Sequence, residues 1–430
     1  MTARLFVVLM ICLGLSVPAE GAVAADKFTP APGVTFNSPL GTAPVQNAIF
    51  NKITRTINSS PQGSNIRIFS WNFLTRTGTD ALLRAQRRGV RVQLIMAKGN
   101  LTEIDNRPFK RLRAGLKAGN KNRKPSRHSW ARICAGSCRG QHGVAHSKFY
   151  LFSHSGKAKR VVMQGSANYT VASARNQWND MVTHVGQRKM YRYAVNVFKQ
   201  AAQDKPVKPP FISRTFGSTR LMFFPDTGKH VGDPVMQLLN QVRCHRATNT
   251  PNNRTVLRLA PDVIREDRGM KLGRKLRSLW QDGCDIKIGY TVLGKDIARM
   301  LRDPSGRGPV PLRHLVQDAN GDGQFDNYFH LKAMSIVGHV GGDRSGYVTL
   351  NGSANLSGNS KMSDENVAIY HRKGTTLKYQ AHINYWYDNF PSTSSKLIFG
   401  RGTDYVVEGQ DGELLARRPA VDPFAHVDMD

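Results

Sequence analysis

Acidic side chains are scarce in this 430-residue chain: 30 Asp and Glu stand against 62 Lys and Arg, a formal net charge of +32. An excess of that size is not incidental and points to an anionic partner such as nucleic acid, an acidic lipid surface or another polyphosphate. Long hydrophobic runs are missing too. The run Leu5 to Val17 has 13 residues, too few for a comfortable membrane span, and no later stretch approaches the ~18 that a span requires. What is present is enough apolar material for a large core, 40% of the residues, so wholesale disorder is excluded. The length allows two or three domains.

Residues 1–24 read as a signal peptide: Arg4 precedes the apolar run, and Ala22-Val23-Ala24 supplies a small-residue cleavage box. Its loss removes Arg4 and Glu20 together, leaving the charge at +32, so a secreted, basic mature chain is expected. Cys12 leaves with it. The other four cysteines, Cys134, Cys138, Cys244 and Cys284, read as two disulfides, with Cys134–Cys138 and Cys244–Cys284 as the local pairing among three connectivities. A zinc site is the rival reading, because Cys134, Cys138, His142 and His146 recur every four residues. Gly136, Gly140 and Gly143 disrupt the helix that such a site needs, and oxidised cysteines do not ligate metal.

The chain repeats itself. His146-Ser147-Lys148 leads to Gly165-Ser166-Ala167-Asn168, and His330-Leu331-Lys332 leads to Gly352-Ser353-Ala354-Asn355. Each copy then reaches an acid followed closely by valine, Asp180-Met181-Val182 and Glu365-Asn366-Val367. The offsets between copies are 184 residues for the histidines, 187 for the glycines and 185 for the acids. Upstream of each motif, helical and apolar strand patterns alternate, at 43–58, 66–73, 78–88 and 90–96 in the first copy and 233–243, 255–259, 268–280 and 285–290 in the second. Amphipathic helices near 188–202 and 375–388 close the copies. The expected fold class is α/β, with two lobes related by a pseudo-twofold axis, each a mixed sheet flanked by helices, and the active site between them. The expected boundaries are 25–204 for the first lobe, 205–232 for a proline-rich linker, 233–400 for the second lobe and 401–430 for an acidic tail.

Two His-x-Lys pairs facing each other present two imidazoles and two ammoniums, a set suited to a phosphodiester. Lysines and asparagines hold the nonbridging oxygens. One histidine attacks phosphorus to give a phosphohistidine, and the other protonates the leaving oxygen and then activates water. Asp180 and Glu365 are expected to accept from the imidazole Nδ1 atoms, freeing Nε2. The scheme requires no metal or other cofactor.

At these residues the chain resembles the phospholipase D superfamily, whose signature is a duplicated HxK…GSxN pattern with a paired acid downstream. The resemblance spans roughly residues 40–395. It implies His146 as nucleophile and His330 as acid/base, with Lys148, Lys332, Asn168 and Asn355 holding phosphate beside Ser166 and Ser353. The family's Asp seven residues after each histidine is replaced here by Ser153 and Val337, and the gap from HxK to GSxN is longer than in compact members. What it implies is a secreted hydrolase of phospholipid headgroup esters. The alternative is a nonspecific nuclease using the same cleft. Fused lobes remove the need for a second copy, so a monomer is expected, with transient contact to a membrane surface in the lipid reading.

Two lesser signals remain. Arg107 to Arg139 holds 11 Lys/Arg and no acid, either a cationic roof over the cleft or a solvated loop. Asp318, Asn320, Asp322 and Asp326 match the first half of a calcium loop, but Phe329 stands where the closing Glu belongs, so a structural calcium and a plain Asx turn both stay open.

Overall fold

The computed structural model describes residues 28–226, 232–391 and 422–427. The signal peptide reading, with Cys12, lies outside the described residues.

In the first lobe, strands β1 (Gly33–Phe36), β2 (Asn65–Ser70), β3 (Arg91–Ala97), β4 (Trp130–Cys134), β5 (Lys148–Ser155), β6 (Ala158–Gly165) and β7 (Asp180–His184) form one mixed sheet in the order β1-β7-β6-β5-β2-β3-β4. The parallel pairs β2–β3 and β3–β4 need crossovers, supplied by α2 (Arg76–Arg87) and α3 (Arg107–Ala118). With α1 (Ala48–Asn58) these helices cover one face. Ile53, Ile57, Leu82, Phe109 and Leu112 pack there against Ile66, Ile68, Val92 and Leu94, all fully buried. Further helices of the lobe include α4 (Val171–Arg175) and α5 (Arg188–Ala201).

The second lobe repeats the plan. Its strands are β8 (Ile212–Phe216), β9 (Thr219–Phe223), β10 (Val256–Ala260), β11 (Asp285–Tyr290), β12 (Leu312–His314), β13 (Ala333–Val340), β14 (Asp343–Gly352) and β15 (Asn366–Tyr370), in the order β8-β9-β15-β14-β13-β10-β11-β12. Its helices are α6 (Pro234–Asn240), α7 (Glu266–Gln281), α8 (Lys295–Leu301), α9 (Gly358–Met362) and α10 (Lys373–Asn389). A second core forms under α6–α8, and a third joins the lobes. In that shared core α5 contributes Met190, Ala194, Val197 and Phe198 at helical spacing, and α10 contributes Tyr379 and Ile383. Trp178 sits in it against Phe329, Trp386 and Phe390.

Three expectations change. The segment 205–232 is not all linker, because β8 and β9 form a hairpin whose Thr219–Phe223 strand pairs with β15. The proline signal at Lys205–Phe211 hid the alternation that follows it. The basic segment Arg107–Arg139 is not simply a loop: helix α3 and edge strand β4, both part of the first lobe's own framework, account for about half of it. Of the acidic tail, residues 422–427 are described, and Phe424 packs on Phe325 with Pro423 O accepting from Phe325 N at 2.8 Å.

Arg139, almost wholly buried, pins the crossing between the lobes. It donates to Phe224 O at 3.0 Å, Pro210 O at 2.7 Å and Gln200 Oε1 at 3.0 Å. The disulfides are Cys134–Cys138 and Cys244–Cys284, the local pairing, which rules out a zinc site built on Cys134 and Cys138.

Burial keeps several histidines neutral. His184 and His314 are pushed down to about 4 and His382 to about 3, in each case chiefly by desolvation. A histidine neutral when folded and ordinary when unfolded destabilises the fold as pH drops below ~6.5. His382 stacks on Phe36 at 3.9 Å, and its Nε2 has no hydrogen-bond partner among the described residues. His382→Phe keeps the stack and removes the proton. Against the native chain it should gain about 2–3 kcal/mol on going from pH 7 to pH 4.5, read from denaturant midpoints at the two pH values.

Candidate active site

His146 and His330 lie just before β5 and β13, the central strands where the sheets meet the shared core, and both are fully buried. Short ladders between the lobes place them. Ala145 bridges Asp364, and His146 N donates to Asp364 O at 3.0 Å. In the mirror position Phe329 pairs with Trp178, and His330 N donates to Trp178 O at 3.0 Å. Each histidine is thus hung on a strand start of the other lobe.

The next residue along that opposite strand holds the imidazole. His146 Nδ1 lies 2.8 Å from Glu365 Oε1. His330 Nδ1 lies 2.7 Å from Asn179 Oδ1. Asp180 is therefore not the partner expected for His330. Its Oδ1 accepts from Ser166 N at 3.0 Å, and its Oδ2 accepts from Asn351 at 2.6 Å and from the Tyr379 hydroxyl. The two copies align one residue differently from the sequence reading: Ser166 Oγ donates to Asn179 and Ser353 Oγ to Glu365, so Asn179 corresponds to Glu365 and Asp180 to Asn366. Matching Asn179-Asp180 to Glu365-Asn366 gives an offset of 186, between the 184 and 187 of the other features, and that signal was available in the sequence.

The serine hydroxyls are likewise taken up by the histidine partners. Ser166 and Ser353 orient Asn179 and Glu365. Asn168 Oδ1 accepts from Asn72 N at 3.2 Å, and Asn355 N donates to Ser360 Oγ at 2.8 Å.

The lysines are set differently in the two halves. Lys148 Nζ donates to His146 Nε2, and to His146 O at 2.9 Å, beneath the Trp71 ring at 5.6 Å; Trp71 also meets His146 edge-on at 5.8 Å. Lys332 Nζ donates instead to Asp262 Oδ2 at 2.7 Å and to His330 O at 3.2 Å. Trp71, Asn179 and Asp262 belong to the site and were not anticipated. Trp71 and Asp262 lie far upstream of the motifs, past β2 and β10, and nothing in their local sequence marks them.

Burial alone would raise the Glu365 carboxyl, but His146, Lys148 and Ser353 overcome it and hold the group below its usual range. Its neighbour Asp364 goes the other way: burial pushes it up to about 7 against the opposing pull of Arg139, Ser137 and Cys138. Asp364 Oδ2 accepts from Ser137 Oγ at 2.9 Å and from Cys138 N, inside the ring closed by Cys134–Cys138. The small disulfide loop therefore props the strand that carries Glu365.

The Asp318–Asp326 loop closes on its own backbone. Asp318 accepts from Gly321 N and Gly323 N at 2.7 and 2.9 Å, Asp326 from Ala319 N at 2.7 Å, and Asp322 from Gln324 N at 2.8 Å, while Asn320 Oδ1 accepts from Asp322 N at 3.0 Å. These are Asx-turn bonds of the loop to its own backbone.

Together the described geometry offers one imidazole held between a carboxylate at Nδ1 and an ammonium at Nε2, a second imidazole beside a carboxylate, and two ammoniums. That set fits nucleophilic attack and proton transfer at a phosphorus centre.

The family described as "Cardiolipin synthase, PLD-like domain" matches residues 53–201. Among solved structures, phosphatidylserine synthase from Haemophilus influenzae Rd KW20 superimposes with a TM-score of 0.54 at 14% identity, over 83% of this chain and 86% of that one. Polyphosphate kinase from Porphyromonas gingivalis gives 0.53 at 12% identity, over 82% of this chain and 50% of that one, so the chain spans half the kinase's length. Nuc from Salmonella typhimurium, a phospholipase D family member, gives 0.30 at 17% identity over 40% of this chain and 96% of that one. No curated protein matches the chain in sequence.

Two outcomes are expected. Glu365→Gln should lower kcat by about 10²- to 10⁴-fold with little change in thermal midpoint, since it leaves the shape and removes the charge that orients His146. Asp364 binds its proton more tightly folded than unfolded, so it costs stability as pH rises from ~4 towards about 7. Asp364→Asn should accordingly melt above the native chain at pH 8 and lose that advantage at pH 4, measured by calorimetry.

Proposed function

We propose that this chain is a phospholipase D-type enzyme, a secreted phosphodiesterase that hydrolyses phospholipid headgroup esters through a phosphohistidine. The observation that carries the phosphodiesterase reading is the exchange of imidazole partners between lobes, Glu365 to His146 and Asn179 to His330, which gathers both motifs into one centre.

In the first step His146 Nε2 forms a bond to phosphorus as the bond to the leaving oxygen breaks, and His330 Nε2 gives that oxygen its proton. In the second, His330 Nε2 takes a proton from water, the water oxygen bonds to phosphorus and the P–N bond to His146 breaks. Lys148 and Lys332 swing from their resting partners onto the nonbridging oxygens, with Asn168 and Asn355 beside them. An alcohol competing with water yields a transphosphatidylated product. No metal or cofactor takes part. A calcium held by Asp318, Asn320, Asp322 and Asp326 would act as a brace ahead of His330, not as a reactant.

The lipid class is supported by the matching family's description and by the phosphatidylserine synthase likeness, both named for phospholipid chemistry. It is also supported by apolar side chains left in solvent on the short helices that follow the two GSAN turns, Val171 at 44% exposure on α4 and Met362 at 39% on α9. A nuclease is the second reading. It is favoured by the net charge of +32 and by the exposed cations Arg107, Lys110, Arg111, Arg113 and Lys117 on α3. Export rests on the signal peptide reading, and the two disulfides suit an oxidising compartment.

Short-chain phosphatidylcholine micelles and single-stranded DNA, offered in parallel with EDTA present, separate the substrates. Choline release without DNA cleavage is expected, and the converse would transfer the activity to nucleic acid. His146→Ala and His330→Ala should each reduce turnover by at least about 10³-fold; turnover surviving in both would sink the two-histidine scheme. EDTA should leave turnover intact, and a lowered thermal midpoint restored by calcium would support the brace.

A further inference from the structure

The two halves of the centre are not equivalent, and the difference lies in one residue outside both motifs. Asp262 stands two residues past β10, where Asn72 stands two residues past β2; each precedes a short strand, Val263–Ile264 or Phe73–Leu74. The first lobe thus carries an amide where the second carries a carboxylate. The Asp262 carboxylate is fully buried, its Oδ2 lying 2.7 Å from Lys332 Nζ and 3.8 Å from His330 Nε2.

The hydrogen bonds around each imidazole fix where its protons sit. Asn179 Nδ2 donates to Ser173 O at 3.0 Å and to Gln177 Oε1 at 3.3 Å, so its oxygen is the atom that faces His330 Nδ1. His330 Nδ1 must therefore carry a hydrogen. If the ring were neutral, Nε2 would turn a bare lone pair towards a carboxylate oxygen. The Coulomb field of Asp262 favours the protonated ring instead. His146 is the reverse: Glu365 takes the hydrogen of Nδ1 from behind, and Lys148 donates to the lone pair of Nε2 in front. That lone pair is what a nucleophile needs.

We propose that Asp262 is a positioning residue that keeps the proton on His330 Nε2, so that His330 enters the reaction as general acid and His146 as nucleophile. The inference deepens the two-histidine reading and rests on it. When the phosphodiester arrives, Lys332 leaves Asp262 for a nonbridging oxygen and His330 Nε2 turns its proton to the leaving oxygen. The charged and polar groups facing His330 include Asp262, Lys332 and Asn179, with the Tyr328 ring edge-on at 5.8 Å. Across the lobe interface stand His146, Lys148 and Glu365. On His330's own side Asp262 brings a negative charge to the Nε2 face.

Asp262→Asn tests the assignment with two probes that differ in leaving group. Phosphatidylcholine releases an alkoxide and needs the proton, whereas bis(4-nitrophenyl) phosphate releases a stabilised phenolate and does not. The expected result is a loss of about 10²- to 10⁴-fold in kcat on phosphatidylcholine, less than about tenfold on the nitrophenyl ester, and no rise in KM. A general acid must be protonated to work, so activity falls as pH rises through its pKa. Without Asp262 that alkaline limb should move to lower pH by about one to three units. A purely structural Asp262 would reduce both substrates equally and leave the limb in place, and that outcome overturns the proposal. Circular dichroism and the thermal midpoint check folding, and Asp262→Ser gives the same readout should the Asn variant melt. Turnover surviving His146→Ala and His330→Ala would instead overturn the reading on which this one rests. If those variants are inactive and Asp262→Asn treats the two leaving groups alike, only the role of Asp262 is lost.

Discussion

The centre depends on a reciprocal exchange between lobes. Each histidine takes its main-chain anchor and its imidazole partner from consecutive residues of the opposite lobe, Asp364-Glu365 for His146 and Trp178-Asn179 for His330. Neither lobe alone can orient its own imidazole, so the chemistry and the packing of the lobes are one event. The shared core around Trp178, Phe329 and Tyr379 is what makes the exchange rigid. Behind it lies a buried polar net in which Gln164 donates to Asn351 and Tyr370, Asn366 donates to Gln164, and Asn351 and Tyr379 donate to Asp180. Buried polar groups of this kind are costly unless satisfied, and a fully connected net restricts the lobes to one relative placement.

Within that symmetric frame the charges are distributed unevenly. Behind His146 stands a carboxylate and in front of it an ammonium; behind His330 stands a neutral amide and in front of it a carboxylate paired with Lys332. A duplicated fold gives two similar halves, but a reaction with one nucleophile and one acid needs two different ones. A few substitutions off the motifs, Asn179 against Glu365 and Asp262 against Asn72, are enough to separate them. The supports outside the centre are uneven as well. The first lobe's disulfide ring props the second lobe's acid through Asp364, while Arg139 clamps the strand that crosses between lobes.

The repeat, the α/β class and most element positions were legible because they rest on local signals. Helices expected at 188–202 and 375–388 are found at Arg188–Ala201 and Lys373–Asn389, and the strand expected at 285–290 is Asp285–Tyr290. The hairpin Ile212–Phe223 was misread because prolines nearby outweighed its alternation. Asp180 was misassigned because an acid is the usual imidazole partner, and matching acid to acid outweighed the 186-residue offset that pairs Asn179 with Glu365.

By itself the sequence picked out the side chains that the fold gathers into one buried centre, since HxK and GSxN are short-range patterns. It also determined the duplication that makes two lobes, but left the disulfide pairing among three connectivities until the fold brought the cysteines together. Tertiary structure decided which group faces which nitrogen. Asn179 acquires its place only when strand ends of opposite lobes meet, and Asp262 only when β10 and β13 pair within the second lobe. Such contacts join residues 68 to 151 positions apart in the chain, and no periodicity or spacing within either segment records them.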